Sequence, residues 1–269
     1  MPIETDRSKV TVEELVTRIR SEMVPLGTIF SYFLAMPIAD EDLKPYLEDP
    51  IAALPSKICA ALPKVEILLV PYLEKANGKN GDQISFEKPP EQRQIFASRL
   101  SRRDAAVLVF AVKDEEMAEY HFSFYNAIGA LVADSTVDRS ARDKFYGLIR
   151  EELGAEVHGE VDERSWRLKQ SLIRRQTNTR KETKLFQDYA RQAFEDTLTL
   201  FLHGICCDID VETGPRQMPS RYLRRRLELL SELYHFIWQV LDESVPLFAL
   251  VVTECFLEGP LDRRRGVGV

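Results

Sequence analysis

The sequence predicts a helix-rich α+β protein, with a small sheet of three or four strands in its N-terminal half and a helical bundle in its C-terminal half. Runs of branched and aromatic residues bounded by turn signals are concentrated before residue 112. Beyond that point, apolar residues recur every three or four positions, which is the period of an amphipathic helix. The 269 residues are 45% hydrophobic and 29% charged, a composition typical of a folded protein rather than a disordered one.

The first elements along the chain are predicted to be short. Thr11 and Glu14 have the spacing of a helix-starting capping box, and this helix is predicted to stop at Pro25. The apolar segment 28–36 is a buried strand or a buried helix, because its lack of periodicity fits both. Beyond it, four prolines divide the chain into short helices. These are Pro45, Pro50, Pro55 and Pro63.

Two segments give strong strand signals. Residues 65–72 (VEILLVPY) are rich in branched side chains and precede a turn rich in asparagine and glycine at 77–82, after which a partner strand begins at Ile84. Residues 105–112 (AAVLVFAV) are apolar throughout, which predicts a strand buried on both faces. The intervening residues 90–100 are predicted to form a short helix.

Helices are predicted from Asp114 onward. Asp114 is expected to cap the first one, in which His121 lies on the apolar face. The later helices are predicted at about 140–153, 162–175, 182–203, 220–243 and 246–257. The whole chain, 1–269, is expected to form one compact body, because the sequence contains no linker rich in glycine or proline. The alternative is a division into a sheet-bearing part, 1–135, and a helical part, 136–269.

Composition predicts a soluble cytoplasmic protein without a membrane partner. The net charge of −7 and the pI near 5.3 argue against bulk binding of nucleic acid or of anionic membranes, because proteins that work in this way are usually basic. Residues 1–10 are polar and do not resemble a signal peptide. The apolar run 26–39 is too short to span a bilayer and is interrupted by Pro37. Four cysteines are too few for a disulfide scaffold in a chain of this length, which predicts reduced thiols.

The stretch from His203 to Arg226 holds a dense set of residues that are able to carry chemistry. If the predicted helix continues past residue 203, His203 lies one turn from Cys207 and beside Cys206. Imidazole and thiolate groups at this spacing bind zinc, but a structural zinc site needs four ligands. The simpler interpretation is that both cysteines pack as small apolar side chains, and a third is that one of them is a reactive thiol.

Three carboxylates follow the cysteines and alternate with apolar residues. They are Asp208, Asp210 and Glu212, and with His203 and Cys207 they complete the set of candidate metal ligands. In an extended chain the three carboxylates point to one side, and oxygen ligands arranged in this way bind magnesium in phosphoryl-transfer sites. A solvated edge that discourages strand pairing is the simpler interpretation.

The start of the following predicted helix is rich in arginine. The candidate anion-binding residues are Arg216, Arg221, Arg224 and Arg225, with Arg226 beside them. Cations at a helix N-terminus oppose the macrodipole, so a nearby counter-charge is expected. The carboxylates of 208–212 are the favoured source, because they lie close by in the sequence. A bound phosphate, nucleotide, nucleic acid or acidic protein is the alternative.

The corner between the last predicted strand and the first long helix is a further candidate site. It contains Lys113, Asp114, Glu115 and Glu116. Carboxylates with shifted pKa values often occur at catalytic sites. Acidic residues also complement the dipole of an ordinary helix N-terminus, which is the simpler interpretation.

No motif in the sequence identifies an activity. It contains no P-loop, dinucleotide fingerprint, zinc-protease motif, serine-hydrolase elbow, kinase signature or CxxC pair. The leading hypothesis is a non-catalytic interaction or regulatory protein that has no cofactor and binds a protein partner or associates with itself. One alternative is a metal-dependent hydrolase or nuclease that uses residues 203–212 with zinc or magnesium. Another is a nucleotide or nucleic-acid binder that uses the arginines of 216–226.

Overall fold

The computed structural model describes residues 9–75, 81–137, 139–175, 183–206 and 217–234. The structure is 55% helical and 20% strand, with its sheets in the N-terminal half and its long helices in the C-terminal half. This arrangement confirms the predicted helix-rich α+β class.

Two of the strands have seven residues, and the others have five or fewer. In the described part of the chain they are β1 (Lys9–Thr11), β2 (Val24–Leu26), β3 (Phe30–Leu34), β4 (Lys64–Val70), β5 (Tyr72–Glu74), β6 (Gln83–Ser85), β7 (Gln94–Ile95), β8 (Ala97–Ser101) and β9 (Ala105–Ala111). The helices are α1 (Val12–Arg18), α2 (Asp40–Leu43), α3 (Asp49–Ala52), α4 (Ser56–Ala61), α5 (Met117–Asp134), α6 (Arg139–Gly154), α7 (Glu163–Arg174), α8 (Lys184–Cys206) and α9 (Ser220–Tyr234). A π-helical turn, Lys44–Glu48, joins α2 to α3.

The strands form two sheets. The larger one has the order β2-β3-β4-β9-β8; its three central strands are parallel, and each edge strand is antiparallel to its neighbour. The smaller sheet is antiparallel and has the order β1-β6-β5-β7. The two sheets have more strands than the three or four that the sequence predicts. Among the strands that were not predicted, β1, β2, β5 and β7 have only two or three residues each, which is too few to show a period.

The prediction of a helix over residues 90–100 is wrong. The segment contains a short 3₁₀ turn, Glu91–Arg93, followed by β7 and most of β8. Exposure alternates from residue to residue along β8, as expected for an edge strand with one face covered. The apolar segment 28–36, for which strand and helix were both open, contains β3.

The larger sheet is covered on both faces. Because successive side chains of a strand point to opposite faces, Ile67 and Leu69 of β4 pack with the helices, whereas Leu68 and Val70 pack with α1 and the smaller sheet. All four side chains are fully buried. Every position of β9 is also buried, which agrees with the prediction for residues 105–112. The fold therefore has three layers: helices, the large sheet, and a layer made of α1 and the small sheet.

Helices α5 and α8 lie antiparallel against each other in the helical layer. Asp134, in the last turn of α5, forms an ion pair of 2.8 Å with Arg191, which is near the start of α8. Apolar residues of this layer and of the large sheet belong to one continuous core. In the described ranges, none of the helices is both long and apolar enough to cross a membrane. The predicted helix at 246–257 lies outside the described residues.

Two of the local predictions concern the residues at which helices begin. Thr11 and Glu14 form the predicted capping box at the start of α1, with reciprocal hydrogen bonds between each side chain and the other backbone. Asp114 does not cap α5, because that helix begins at Met117 with Glu116 in the cap position and no side-chain cap bond. Asp114 instead has a left-handed backbone, with φ 65°.

Candidate functional site

His203 and Arg226, the two ends of the stretch singled out from the sequence, do not lie in one site. His203 lies near the C-terminal end of α8. Gln217, which precedes α9, forms a β-bridge with Glu160, and the carboxylate of Glu160 accepts a hydrogen bond from Tyr189 near the other end of α8. The 14 residues from Tyr189 to His203 correspond to about 21 Å of helix at 1.5 Å per residue. His203 and the start of the arginine-bearing helix therefore lie at opposite ends of α8.

His203 is packed in the core. Its ring centroid lies 5.9 Å from that of Phe122 and 6.1 Å from that of Tyr125, and its side chain is 7% exposed. Burial lowers the pKa of His203, and the nearby His121 lowers it further. Nε2 of His203 has no hydrogen-bond partner among the described residues.

The other candidate metal ligands are Cys207, Asp208, Asp210 and Glu212, and all four lie outside the described residues. Within the described ranges, no group of three or more histidine, cysteine, aspartate or glutamate side chains is placed to hold a metal ion. The metal site at 203–212, with zinc or magnesium, thus stays a prediction.

The arginines of α9 differ in their surroundings. Arg225 is exposed and pairs with Glu151 of α6 at 2.6 Å, and Arg221 stacks over the ring of Tyr222 at 4.6 Å. Arg224 is exposed as well, and Arg216 lies outside the described residues. Arg225 therefore has a counter-charge on α6, whereas the carboxylates of 208–212 lie outside the described residues, so pairing of the arginines with them stays a prediction. Anion binding by these arginines stays a prediction.

Arg226 is the fully buried centre of an ionic cluster. Its Nη1 lies 2.8 Å from a carboxylate oxygen of Glu160, and its Nε donates to Glu152 Oε2 at 3.0 Å. Lys169 Nζ lies 3.0 Å from Glu160 Oε1, and the hydroxyl of Tyr189 donates to the same carboxylate oxygen. All five side chains are buried. With two cations and two carboxylates, this ionic cluster has no net charge.

The electrostatics of the ionic cluster favour its charged form. Burial by itself raises the pKa of Glu160, but the charge of Arg226, and then that of Lys169, lower it below its ordinary value. Burial likewise lowers the pKa of Arg226, and the neighbouring Glu160 and Glu152 more than reverse this effect. The sequence contains a signal for the burial of Arg226 that was not used in the prediction. Arg226 lies four residues before Leu230 and eight before Tyr234, so it is on the apolar face of α9.

A different surface is formed where the parallel strands end. The carboxyl ends of β3, β4 and β9 lie at one edge of the large sheet. From that edge the chain leaves β3 and β9 toward the helical layer, whereas it leaves β4 toward the small sheet. Neighbouring strands whose connections diverge to opposite faces leave a crevice at their carboxyl ends, and ligands commonly bind there in α/β sheets.

Two exposed phenylalanines lie near this edge of the sheet. Phe86 is 51% exposed and directly follows Ser85, the register partner of Tyr72. Phe96 is 40% exposed, and its backbone oxygen accepts a hydrogen bond from the N–H of Ala111 at the end of β9. We call Tyr72, Phe86 and Phe96 the aromatic corner.

Asp114 lies beside the aromatic corner, shortly after the end of β9. Its carboxylate accepts a hydrogen bond of 3.2 Å from the Tyr72 hydroxyl and forms an ion pair of 2.9 Å with Lys88. The hydrogen bond from Lys88 lowers the pKa of Asp114. A left-handed backbone costs a residue with a side chain about 1–3 kcal/mol and is frequent at functional sites. The hydrogen bond from Tyr72 and the ion pair with Lys88 hold Asp114 in the left-handed conformation shortly after β9.

The next residues form an acidic surface on the helical side of the same edge. We call Asp42, Glu115, Glu116 and Glu119 the acidic side. Burial, and then the charge of Glu119, raise the pKa of Glu115 to about 7, against a hydrogen bond from Ser123 that lowers it. Oε2 of Glu115 has no hydrogen-bond partner within the described residues. The pKa of Tyr46 is raised by burial, then by Asp42 and Glu115, so Asp42 and Glu115 both lie within electrostatic reach of Tyr46.

A second carboxyl group with a raised pKa is buried between α7 and α8. Asp196 is 6% exposed, and burial raises its pKa to about 7, opposed by hydrogen bonds from Ser165 and Gln192. The charges of Asp162 and Glu195 raise the pKa further. This carboxyl group faces the core rather than a crevice.

The sequence identifies one part of this edge. The four residues 113–116 were a candidate site from their position between a strand and a helix, whereas the aromatic corner was not predicted. Phe86 and Phe96 reach the edge only because β5 pairs with both β6 and β7. The order of strands in a sheet cannot be predicted from the local sequence. Comparison with known proteins gave no match: no family model fits the chain, and neither a curated protein nor a solved structure is detectably similar to it.

Proposed function

We propose that the protein is a non-catalytic interaction or regulatory protein and that the aromatic corner is its contact surface. The observation that carries this proposal is the exposure of Phe86 and Phe96 near one edge of the large sheet. Aromatic residues are enriched in the buried centres of protein interfaces, where they supply much of the binding energy. Two of them held at a rigid sheet edge form a preorganised anchor site.

The other exposed large apolar residues lie apart from one another in the fold. They are Val24, Phe122, Val137 and Ile173, and they belong to β2, α5, the α5–α6 connection and α7. Apolar residues that are scattered singly over a surface are ordinary. Convergence from two different strands onto the carboxyl edge distinguishes Phe86 and Phe96 from these four.

Each of the two alternative functions would use the residues that the sequence analysis assigned to it. A metal-dependent hydrolase or nuclease would use residues 203–212, of which the structure describes 203–206. A nucleotide or nucleic-acid binder would use Arg216, which lies outside the described residues, and the exposed Arg221, Arg224 and Arg225 at the start of α9.

The test is to compare what the protein binds with and without its aromatic corner. Quantitative cross-linking in the native host should recover a partner with the wild-type chain, and the double variant Phe86→Ser/Phe96→Ser should lose it. A control with Val24→Ser/Ile173→Ser removes two equally exposed apolar side chains elsewhere and should retain the partner. Equal recovery with both double variants, at equal circular dichroism, would exclude the aromatic corner as the contact surface.

A further inference from the structure

We infer that the aromatic corner and the acidic side together bind a basic segment of a protein partner, in which an apolar or aromatic anchor is followed by lysine or arginine. This inference rests on the proposed interaction function and adds the chemistry of the partner. Its basis is the juxtaposition of an apolar anchor site with uncompensated negative charge at one sheet edge.

The two surfaces are adjacent because a short piece of chain links them. The N–H of Lys113 donates to the carbonyl oxygen of Pro71 at 3.2 Å, which holds this chain beside the start of β5. The next residue, Asp114, bonds to Tyr72 of the aromatic corner. Glu115 then lies on the helical side, within electrostatic reach of Tyr46. A bound segment of a few residues is long enough to contact both surfaces.

The charge at this edge is negative and is not balanced within the described structure. Asp42, Glu116 and Glu119 are exposed, and within the described ranges none of them forms an ion pair. The nearby lysines are already engaged, since Lys88 pairs with Asp114 and Lys113 lies 5.4 Å from the centre of the Tyr72 ring. A cationic partner segment would supply the missing counter-charge.

The helix dipole explains only part of this charge. Acidic residues are favourable in the first turn of a helix, which accounts for Glu116 and Glu119 at the start of α5. Asp42 likewise lies in the first turn of α2, but the half-buried Glu115 precedes the cap residue of α5 and is not explained in this way. The charge of Glu119 also raises the pKa of Glu115, so these two like charges repel each other.

Two other occupants fit less well. A second copy of the chain would bring the same acidic side against itself in a symmetric contact, and like charges placed opposite each other are unfavourable. A nucleic acid would bring phosphates toward the same carboxylates, whereas nucleic-acid binding depends on cationic side chains. Arginine and lysine pair with carboxylates and also lie favourably on aromatic faces.

Glu115 links this contact to pH. Its pKa of about 7 means that a cation placed nearby favours the ionised carboxylate, so binding releases a proton and tightens as the pH rises through 7. The groups within electrostatic reach of Glu115 are Tyr46 of the π-helical turn, and Glu119, Tyr120 and Ser123 of α5. The three ionisable groups among them carry negative charge or none, so none of them replaces the partner's cation.

The experiment uses fluorescence anisotropy with the full-length protein and three labelled probes. The first is a 12-residue peptide with two tryptophans and four arginines. The second has glutamate in place of each arginine, and the third is a single-stranded 12-base oligonucleotide. We expect the arginine peptide to bind and the other two to bind at least about tenfold more weakly, because several charge pairs are involved. Equal binding of the glutamate peptide, or tighter binding of the oligonucleotide, would overturn the inference.

Matched variants locate the contact on the surface. Glu116→Lys/Glu119→Lys should weaken binding of the arginine peptide, and Glu116→Gln/Glu119→Gln, which places no cation at the start of α5, should weaken it less. The control Glu228→Lys/Glu232→Lys changes the net charge equally on the exposed face of α9 and should leave binding unchanged. An equal loss in the control would show that net charge alone attracts the peptide, and the inference would fail.

The same variants separate this inference from the proposed function. If Phe86→Ser/Phe96→Ser releases the cross-linked partner and Glu116→Lys/Glu119→Lys retains it, the interaction function stands and the basic partner is wrong. If neither double variant releases the partner, both proposals fail. Release by both supports the two proposals together.

Discussion

At the scale of single residues, the internal ion pairs of the protein differ widely in what they contribute. Arg225 and Arg226 are neighbours in sequence, yet the first is exposed and the second is completely buried. An exposed pair is screened by water and contributes about 0–1 kcal/mol. A buried charge that loses its partner has no such screening, so position on the helix face decides the effect of each arginine.

We expect Arg226→Ala to lower the free energy of unfolding by about 3–5 kcal/mol, the usual cost of removing one partner from a buried ion pair. Glu152 and Glu160 would then share Lys169 as their remaining cation in the ionic cluster. Arg225→Ala, one residue earlier, should cost about 1 kcal/mol or less. Urea unfolding of the two variants measures the difference. Equal midpoints would show that the ionic cluster does not hold α9 in place.

Asp196 gives a prediction about pH. Its pKa rises from an ordinary value of 3.8 to about 7 in the folded protein, so between pH 4 and pH 7 the folded state binds more protons than the unfolded state. Stability from this group is therefore present at low pH and is lost as the pH rises to about 7. Asp196→Asn should be more stable than the wild type at pH 8, by an amount on the order of a few kcal/mol, and equally stable at pH 4.

The control for Asp196 is Asp188→Asn, which changes an exposed carboxylate on the same helix. Its stability difference from the wild type should stay small at both pH values. Thermal unfolding at pH 4 and pH 8 measures both variants. If the stability of Asp196→Asn differs from that of the wild type by the same amount at both pH values, the raised pKa of Asp196 is contradicted.

At the scale of elements, α9 is positioned by close backbone contact as well as by charge. Gly159 has φ 74°, and a Cβ atom there would lie 2.1 Å from the carbonyl oxygen of Gln217 and 2.6 Å from the nitrogen of Met218. Only glycine combines this backbone angle with such a close approach. The connection between α6 and α7 therefore fixes where the chain enters α9.

We expect Gly159→Ala to destabilise the protein by at least about 2 kcal/mol, because it adds both a steric clash and a strained backbone. Gly147→Ala, in the middle of α6, should instead stabilise by up to about 1 kcal/mol, since alanine is the better helix former. A Cβ at Gly147 would meet no atom within 4 Å. Denaturant unfolding of the pair tests this, and a neutral Gly159→Ala would show that the α6–α7 connection can move away from α9.

The sequence predicts elements well where a period is long enough to see. The helices expected at 140–153 and 162–175 are present within a residue of each end as α6 and α7, and the capping box of α1 is confirmed. Short strands such as β5 and β7 were missed because pairing with partners distant in sequence creates them. The arginine helix was predicted, but its counter-charges Glu152 and Glu160 were not, since they lie 74 and 66 residues away.

At the scale of the whole molecule, the two ends of α8 separate features that are close together in sequence. His203 is packed beside α5, near the end of the molecule that carries the acidic side, whereas Arg226 is buried beside the α6–α7 connection. The binding surface that we propose is formed by residues between 42 and 119, in the N-terminal half. The buried ionic cluster of the C-terminal half fits a structural role, because its charges are balanced internally.

The ionic cluster also has a consequence for biosynthesis. While the chain is being made, Glu152, Glu160 and Lys169 emerge from the ribosome well before Arg226, and until Arg226 arrives they carry one negative charge in excess. Burying that excess is unfavourable, so we expect the closed bundle of α6, α7 and α8 to be less stable during this interval. The ionic cluster should therefore be completed only when α9 has been synthesised.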